Sequence, residues 1–333
     1  MTNRFRITMI ICCILILVFS LVALCMGQYT ISIQDVILVL LQKDVSVKNA
    51  YTVIYNVRIP RIILSLCAGA GLAVAGASFQ ALFSNPLATP DTLGCANGAS
   101  FGAALGILLG FKSVGTQLSA LAFGLSAIAL VFLVTKTNGY NSRSMMMVIL
   151  AGMVISSLFS ALVSFVKYVA DPNDVLPVIT FWLMGSFSSV TIKSLMIGIP
   201  CILVGVIFLY SIRYRLNALS LSEDEARSLG IDLRQMRILV IFFSSLITTS
   251  IVALCGVIGW VGLLIPHISR MCFGNDNRRL IPSCIVFGAL FMVVVDTIAR
   301  CATQSEIPVS ILTAIIGAPV FILLLRKSGG IRA

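Results

Sequence analysis

The sequence predicts an all-α polytopic membrane protein, with about ten transmembrane helices and both termini in the cytoplasm. Three observations predict it. Hydrophobic residues make up 59% of the 333 and charged residues only 11%, against roughly 25% charged in a soluble globular chain. Ten apolar stretches recur along the chain, most of them close to the roughly 20 residues that a helix needs to cross a bilayer. Lys and Arg are unevenly shared between alternate connections, as cytoplasmic loops require. Ten spans leave about a dozen residues for each connection. No extramembrane domain of ordinary size (roughly 50 residues or more) fits in that remainder, so residues 1–333 read as a single transmembrane domain.

The first stretch, 7–26, follows Arg4 and Arg6. Its apolar core is longer than a signal peptide uses, which predicts a retained helix. The others are 62–83, 96–111, 118–134, 145–166, 195–212, 238–257, 259–273, 281–298 and 309–325. The eighth is short and contains Pro266. Irregular spans are tolerated only where protein or a cavity satisfies the backbone, so this one is expected to face the bundle interior. With the N-terminus inside, 15 of the 23 Lys and Arg fall in inner segments and eight in outer ones. That bias favours an even number of spans and gives the net charge of +11 a topological meaning instead of a nucleic-acid one. Glycines such as Gly69, Gly71, Gly76 and Gly98 sit inside spans, where small residues let helix backbones approach closely.

Chemistry-bearing motifs are scarce. No G-x-x-x-x-G-K-[ST], H-E-x-x-H or G-x-S-x-G occurs, so ATP hydrolysis by a P-loop and the common hydrolase sites are excluded. The ten cysteines form no C-x-x-C pair and there is one histidine, which argues against a zinc or redox centre. That histidine, His267, follows Pro266 and is expected to cap or pack. Asp296 is the one carboxylate deep in a span, four residues before Arg300. The spacing predicts a satisfied pair near the outer surface, with a proton-carrying carboxylate as the rival reading.

Three connections carry information. In the longest inner one, Ser222 and Glu225 form a capping box, and Glu223, Asp224 and Glu225 fill the first turn. Ala226 and Arg227 follow, and Gly230 is placed to end the helix. Such a two-turn helix needs a partner surface, and a docking helix for a cytoplasmic subunit is expected in place of a solvated connector. Asn85-Pro86-Leu87-Ala88-Thr89-Pro90-Asp91 is broken by two prolines. Arg58-Ile59-Pro60-Arg61 puts two guanidiniums at the expected outer mouth of the second span, as headgroup anchors or as acceptors for carboxylates of a docking protein.

These residues resemble a known family. Tyr55-Asn56-Val57-Arg58-Ile59-Pro60-Arg61 resembles the R-[LI]-P-R entry of the permeases that import iron complexes and cobalamin, the membrane subunits of type II ABC importers. Gly76-Ala77-Ser78-Phe79-Gln80 with Asn85-Pro86-Leu87-Ala88 is similar to the next signature. Glu225 to Gly230, Gly262 to Arg270, Asp296 to Arg300, Glu306-Ile307-Pro308 and Gly317-Ala318-Pro319 follow in the family's order. The resemblance implies ten helices per subunit and two permease subunits, as a homodimer or paired paralogues. It also implies a cytoplasmic ABC ATPase dimer that holds ATP and Mg, with no cofactor in this chain, and an extracytoplasmic substrate-binding protein.

Carried over by position, the resemblance makes 216–235 the coupling region, with Leu219, Glu223, Glu225, Ala226, Arg227 and Gly230 facing the ATPase. Arg58, Arg61 and Arg300 would dock the binding protein, and Asn85, Leu87, Met145 and Met146 would form the cytoplasmic gate. Pro266, His267 and Asp296 belong to structural motifs. The segment between Arg300 and Glu306 is a residue short of the family pattern, and Ser310 stands where Gly is common. The expected function is therefore a non-enzymatic transport subunit in the bacterial plasma (inner) membrane, carrying a ferric siderophore or similar iron complex. Cobalamin and haem are the alternatives within the family. An ion-coupled carrier using Asp296 is the alternative of another class, and a membrane scaffold without transport is the third.

Overall fold

The computed structural model describes residues 3–41, 49–135, 142–221 and 223–327, and among them there is no β-strand. Ten helices answer the ten apolar stretches one for one. They are α1 Asn3–Cys25, α2 Ala50–Phe83, α3 Cys95–Leu108, α4 Ser113–Thr135 and α5 Ser142–Val169. After these come α6 Ile192–Ser211, α7 Leu233–Cys255, α8 Val261–Phe273, α9 Asn277–Cys301 and α10 Val309–Lys327. Seven helices are long and apolar enough to cross a membrane, and α3, α8 and Val309–Leu323 of α10 are shorter apolar segments.

The second helix departs most from the sequence expectation, starting at Ala50 and not near residue 62. Pro60 does not stop it. A proline lacks the N–H for the bond to residue i−4 and clashes with that carbonyl. Here the turn before it, Val53–Arg58, is wound as a π-helix, which opens the ladder where the ring must fit. Arg58 and Arg61 therefore lie inside a long helix and not on a loop at its mouth. The helix ends at Ser84, in the left-handed conformation (φ 48°), ahead of the two-proline connection.

This helix is the post around which the bundle is built. Its most apolar window is 83% buried, against 11% for α1, whose Ile7, Ile10, Ile14, Leu17 and Leu21 face outward. It packs along α9, α7, α8 and α6. Lipid tails are as apolar as leucine, so helices in a bilayer associate through close packing and polar contacts. Two glycine crossings supply that packing. A Cβ on Gly69 would overlap the backbone carbonyl of Gly288 in α9, and one on Gly76 would overlap that of Gly262 in α8.

Two short helices lie outside the spans, at the end opposite the proline loop. Ile33–Leu40 starts on Ser32, whose Oγ accepts the Asp35 N–H at 3.1 Å. Val175–Leu183 joins α5 to α6. Both escaped the sequence reading because each is far shorter than the window that finds a span.

Candidate functional site

Polar side chains gather at the two ends of the bundle. At one end Arg61 Nε donates to Asp296 Oδ1 at 2.7 Å, and Arg61 Nη1 reaches both Glu306 oxygens at 2.8 and 2.6 Å. Arg300 stands on the other side of Asp296, Nε to Oδ2 3.5 Å, and its Nη2 donates to the Ala23 carbonyl at 3.1 Å. Arg58 donates to the carbonyl of Leu24, in the last turn of α1, and to that of Tyr29, beyond its end. Three guanidiniums and two carboxylates thus tie α1, α2, α9 and the connection to α10 together.

The expected pair Asp296–Arg300 is present, but the shorter contact of Asp296 is with Arg61, 235 residues away. Arg58, Arg61 and Arg300 are 3%, 2% and 5% exposed, and Asp296 is 1% exposed. A position at the mouth of the second span was expected for Arg58 and Arg61. The structure places them inside the protein because α2 begins about three turns earlier and carries Arg58 and Arg61 into the bundle. Guanidiniums so enclosed hold helices together.

At the opposite end the proline loop is ordered by its own polar groups. Asn85 Oδ1 accepts the Leu87 N–H at 2.9 Å, and Leu87 itself is exposed. A 3₁₀ turn, Pro90–Leu93, then leads into α3 and packs against α5. Met145 and Met146 stand in the first turns of α5, Met145 half-buried against the core and Met146 exposed. All four residues expected at the gate therefore lie at this end of the bundle.

Pro266 and Gln80, read separately from the sequence, belong to one device. Pro266 cannot bond the carbonyl of Gly262, and Gln80 Nε2 donates to that carbonyl at 3.0 Å. The Oε1 of Gln80 accepts from Arg270, one turn further along α8. The broken turn is thereby satisfied from a neighbouring helix, as a bilayer interior demands. His267 packs its ring edge-on against Phe321 of α10, centroids 5.6 Å apart, in keeping with the packing role expected of it.

The segment expected to couple to an ATPase, 216–235, also lies at this end. A 3₁₀ segment, Arg215–Ser220, with Leu219 buried, precedes the helix Glu223–Ser228. Ser222 and the side chains of Glu223 and Arg227 lie outside the described residues. Ala226 is fully buried and anchors the helix on the bundle, while Glu225 is exposed. Gly230 takes the left-handed conformation (φ +72°), and the Ile231 N–H closes back on the Ala226 carbonyl at 3.0 Å, so the helix stops where expected.

Another helix boundary at this end is Asp276, which caps α9 by accepting the Arg278 N–H at 3.0 Å. Burial pushes its carboxyl up, but the bonds from Arg278 and Asn217 and the charges of Arg278 and Arg279 outweigh it and hold the carboxyl below its ordinary range. The cap is therefore fully present above the ordinary carboxylate pKa and fades as pH falls through the lowered one. Hydrogen-exchange protection in the first turn of α9, taken relative to the intrinsic rate at each pH, is expected to fall below that pH in the native protein and to show no such step in Asp276→Ala.

No group of three or more His, Cys, Asp or Glu side chains clusters as a metal site among the described residues. What the fold and its two polar ends define is a helical membrane transport protein. The chain belongs to the FecCD transport family, whose model matches residues 14–327, and is a permease of the type II ABC importer class. It is 42% identical to the molybdate import system permease MolB of Haemophilus influenzae, over 94% of each chain. It is 35% identical to an iron chelatin transport permease of Helicobacter pylori, over 84% of each. A solved structure described as an inward-facing metal-chelate type ABC transporter superposes with a TM-score of 0.88 at 40% identity, covering 97% of this chain and 99% of that one.

Proposed function

We propose that this chain is the membrane subunit of a binding-protein-dependent importer that moves a molybdate-type oxyanion inward by ATP-driven alternating access. The observation that carries the reading is the helix Glu223–Ser228. It is seated by Ala226 on the bundle and presents Asp224 and Glu225 outward at the proline-loop end. In a chain without a P-loop, an exposed short helix held in this way is a contact for an ATPase dimer, which supplies ATP and Mg. The basic bias puts that end in the cytoplasm of a bacterial plasma membrane. A second permease subunit, another copy of this chain or a paralogue, completes the pathway. The binding protein approaches the opposite end, where the buried arginine cluster is the frame beneath its seat.

Molybdate is favoured over the ferric siderophore that family breadth suggests, because similarity to the Haemophilus influenzae molybdate permease is higher and more extensive than to the Helicobacter pylori iron chelatin permease. An iron complex is the second reading, supported by that second relative. Reconstituted with its ATPase and binding protein, the wild type is expected to take up radiolabelled molybdate in an ATP-dependent manner unaffected by ionophores. Uptake that follows an ion gradient without ATP, or uptake of the ferric siderophore alone, would overturn the reading.

The coupling assignment has its own test. Proline cannot adopt the positive φ of Gly230, whereas asparagine tolerates it. Gly230→Pro is expected to insert normally and lose ATP-dependent uptake, while Gly230→Asn retains most of it. Normal transport by the proline variant would remove the helix from the coupling role.

A further inference from the structure

A cleft of about 660 Å³ opens at the proline-loop end, between residues 84–86, Leu216 and Asn217 of the coupling region, and the facing ends of α8 and α9. Five side-chain amides line it, Asn85 and Asn277 among them, together with His267 and Arg270. No Asp or Glu does. Arg270 makes no ion pair among the described residues; its one recorded side-chain partner is Gln80 Oε1. Asp276, the acid closest to it along the chain, is engaged by the Arg278 N–H and by Asn217 Nδ2 at 2.8 Å. Two further polar atoms of the lining residues, His267 Nε2 and Asn277 Oδ1, have no partner, and Asn277 is 5% exposed.

A half-buried guanidinium without a counter-ion, in a concave site lined by amides and an imidazole, sets up a positive potential focused by low-dielectric walls. A guanidinium carries five N–H donors in a fork that matches tetrahedral oxyanions, and one partner leaves most of them to spare. We propose that this cleft binds a phosphate-class oxyanion, held by Arg270 with the Asn85 amide at its rim. A free inorganic oxyanion and the phosphate of a lipid headgroup present the same chemistry. Bound there, the anion joins the proline loop to the coupling region and favours whichever state of the transporter keeps them at this spacing.

The test is equilibrium binding of radiolabelled orthophosphate to the purified permease–ATPase complex in detergent, at constant ionic strength set with chloride. Saturable binding is expected, weakened at least tenfold by Arg270→Gln and by Asn85→Asp. The second variant keeps the oxygen that accepts the Leu87 N–H, so it places a carboxylate in the cleft without disturbing the loop, and it covers the case in which Arg270→Gln fails to fold. Displacement by dioctanoyl phosphatidylglycerol identifies a lipid headgroup as the natural occupant; failure to displace identifies the free oxyanion. Absence of saturable binding, or equal binding by both variants, overturns the proposal. So does binding by the permease alone that vanishes when the ATPase assembles, which would assign the cleft to an acidic side chain of the ATPase.

Discussion

Asp296→Ala is expected to destabilise the protein by about 3–5 kcal/mol, the cost of breaking a buried ion pair by removing one partner. The carboxylate stands between Arg61 and Arg300, both nearly fully buried, and each is left with a charge that no water shell restores. Glu306 still engages Arg61, so the larger share of the loss falls on Arg300, whose remaining recorded bond is to the Ala23 carbonyl. Reversible unfolding in mixed micelles measures the loss. The double replacement of Asp296 and Arg300 by apolar residues of similar volume is expected to recover part of it, because the unpaired charge goes with its partner.

Asp296→Asn separates the structural role from the proton-carrying one. An amide oxygen still accepts from Arg61 but cannot cycle a proton. Stability is expected to fall less than in the alanine variant, and ATP-dependent uptake should persist. Loss of transport with stability intact would instead support a carrier coupled to an ion.

Gly76→Leu is the second large effect. The Cβ alone overlaps the Gly262 carbonyl, and the atoms it meets are backbone, so no rotamer change in a neighbour relieves it. Overpacking ordinarily costs about 1–3 kcal/mol, and sites bounded by backbone fall at or beyond the upper end. Pushing α8 off α2 also draws Gly262 away from Gln80, which unmakes the bond that compensates Pro266. The expected outcome is a protein that inserts but gives a low yield of monodisperse material in detergent. Gly259→Ala, where a Cβ meets nothing within 4 Å, serves as the control and should behave as wild type. A Gly76→Leu protein as stable as that control would show that the crossing is not a tight one.

The two predictions differ in how much of each was legible beforehand. Gly76, Gln80 and Pro266 all stood out as motif residues, and glycine inside a span already implied close packing. Nothing local said that Gly76 meets Gly262, or that Gln80 takes the carbonyl that Pro266 frees. For the charge cluster, Asp296 and Arg300 announced themselves by helical spacing, while Arg61 and Glu306 gave no sign of being their partners. Arg58 and Arg61 read as the mouth of the second span because the apolar stretch begins only at residue 62. The π-turn that carries the helix through it is a tertiary accommodation.

The sequence by itself determined that the chain is a ten-helix membrane protein, where each span lies, where the short helix before Gly230 stops, and which family's motifs it carries. Those properties depend on composition and on spacing along one helix, and both are local. Only the tertiary structure decided which charges neutralise one another, which carbonyl satisfies a broken turn, and which buried guanidiniums are held by carbonyl or amide oxygens in place of a carboxylate. Those outcomes depend on contacts across 182 to 277 residues of chain, set by how close two backbones come, and no periodicity within a single helix records that distance.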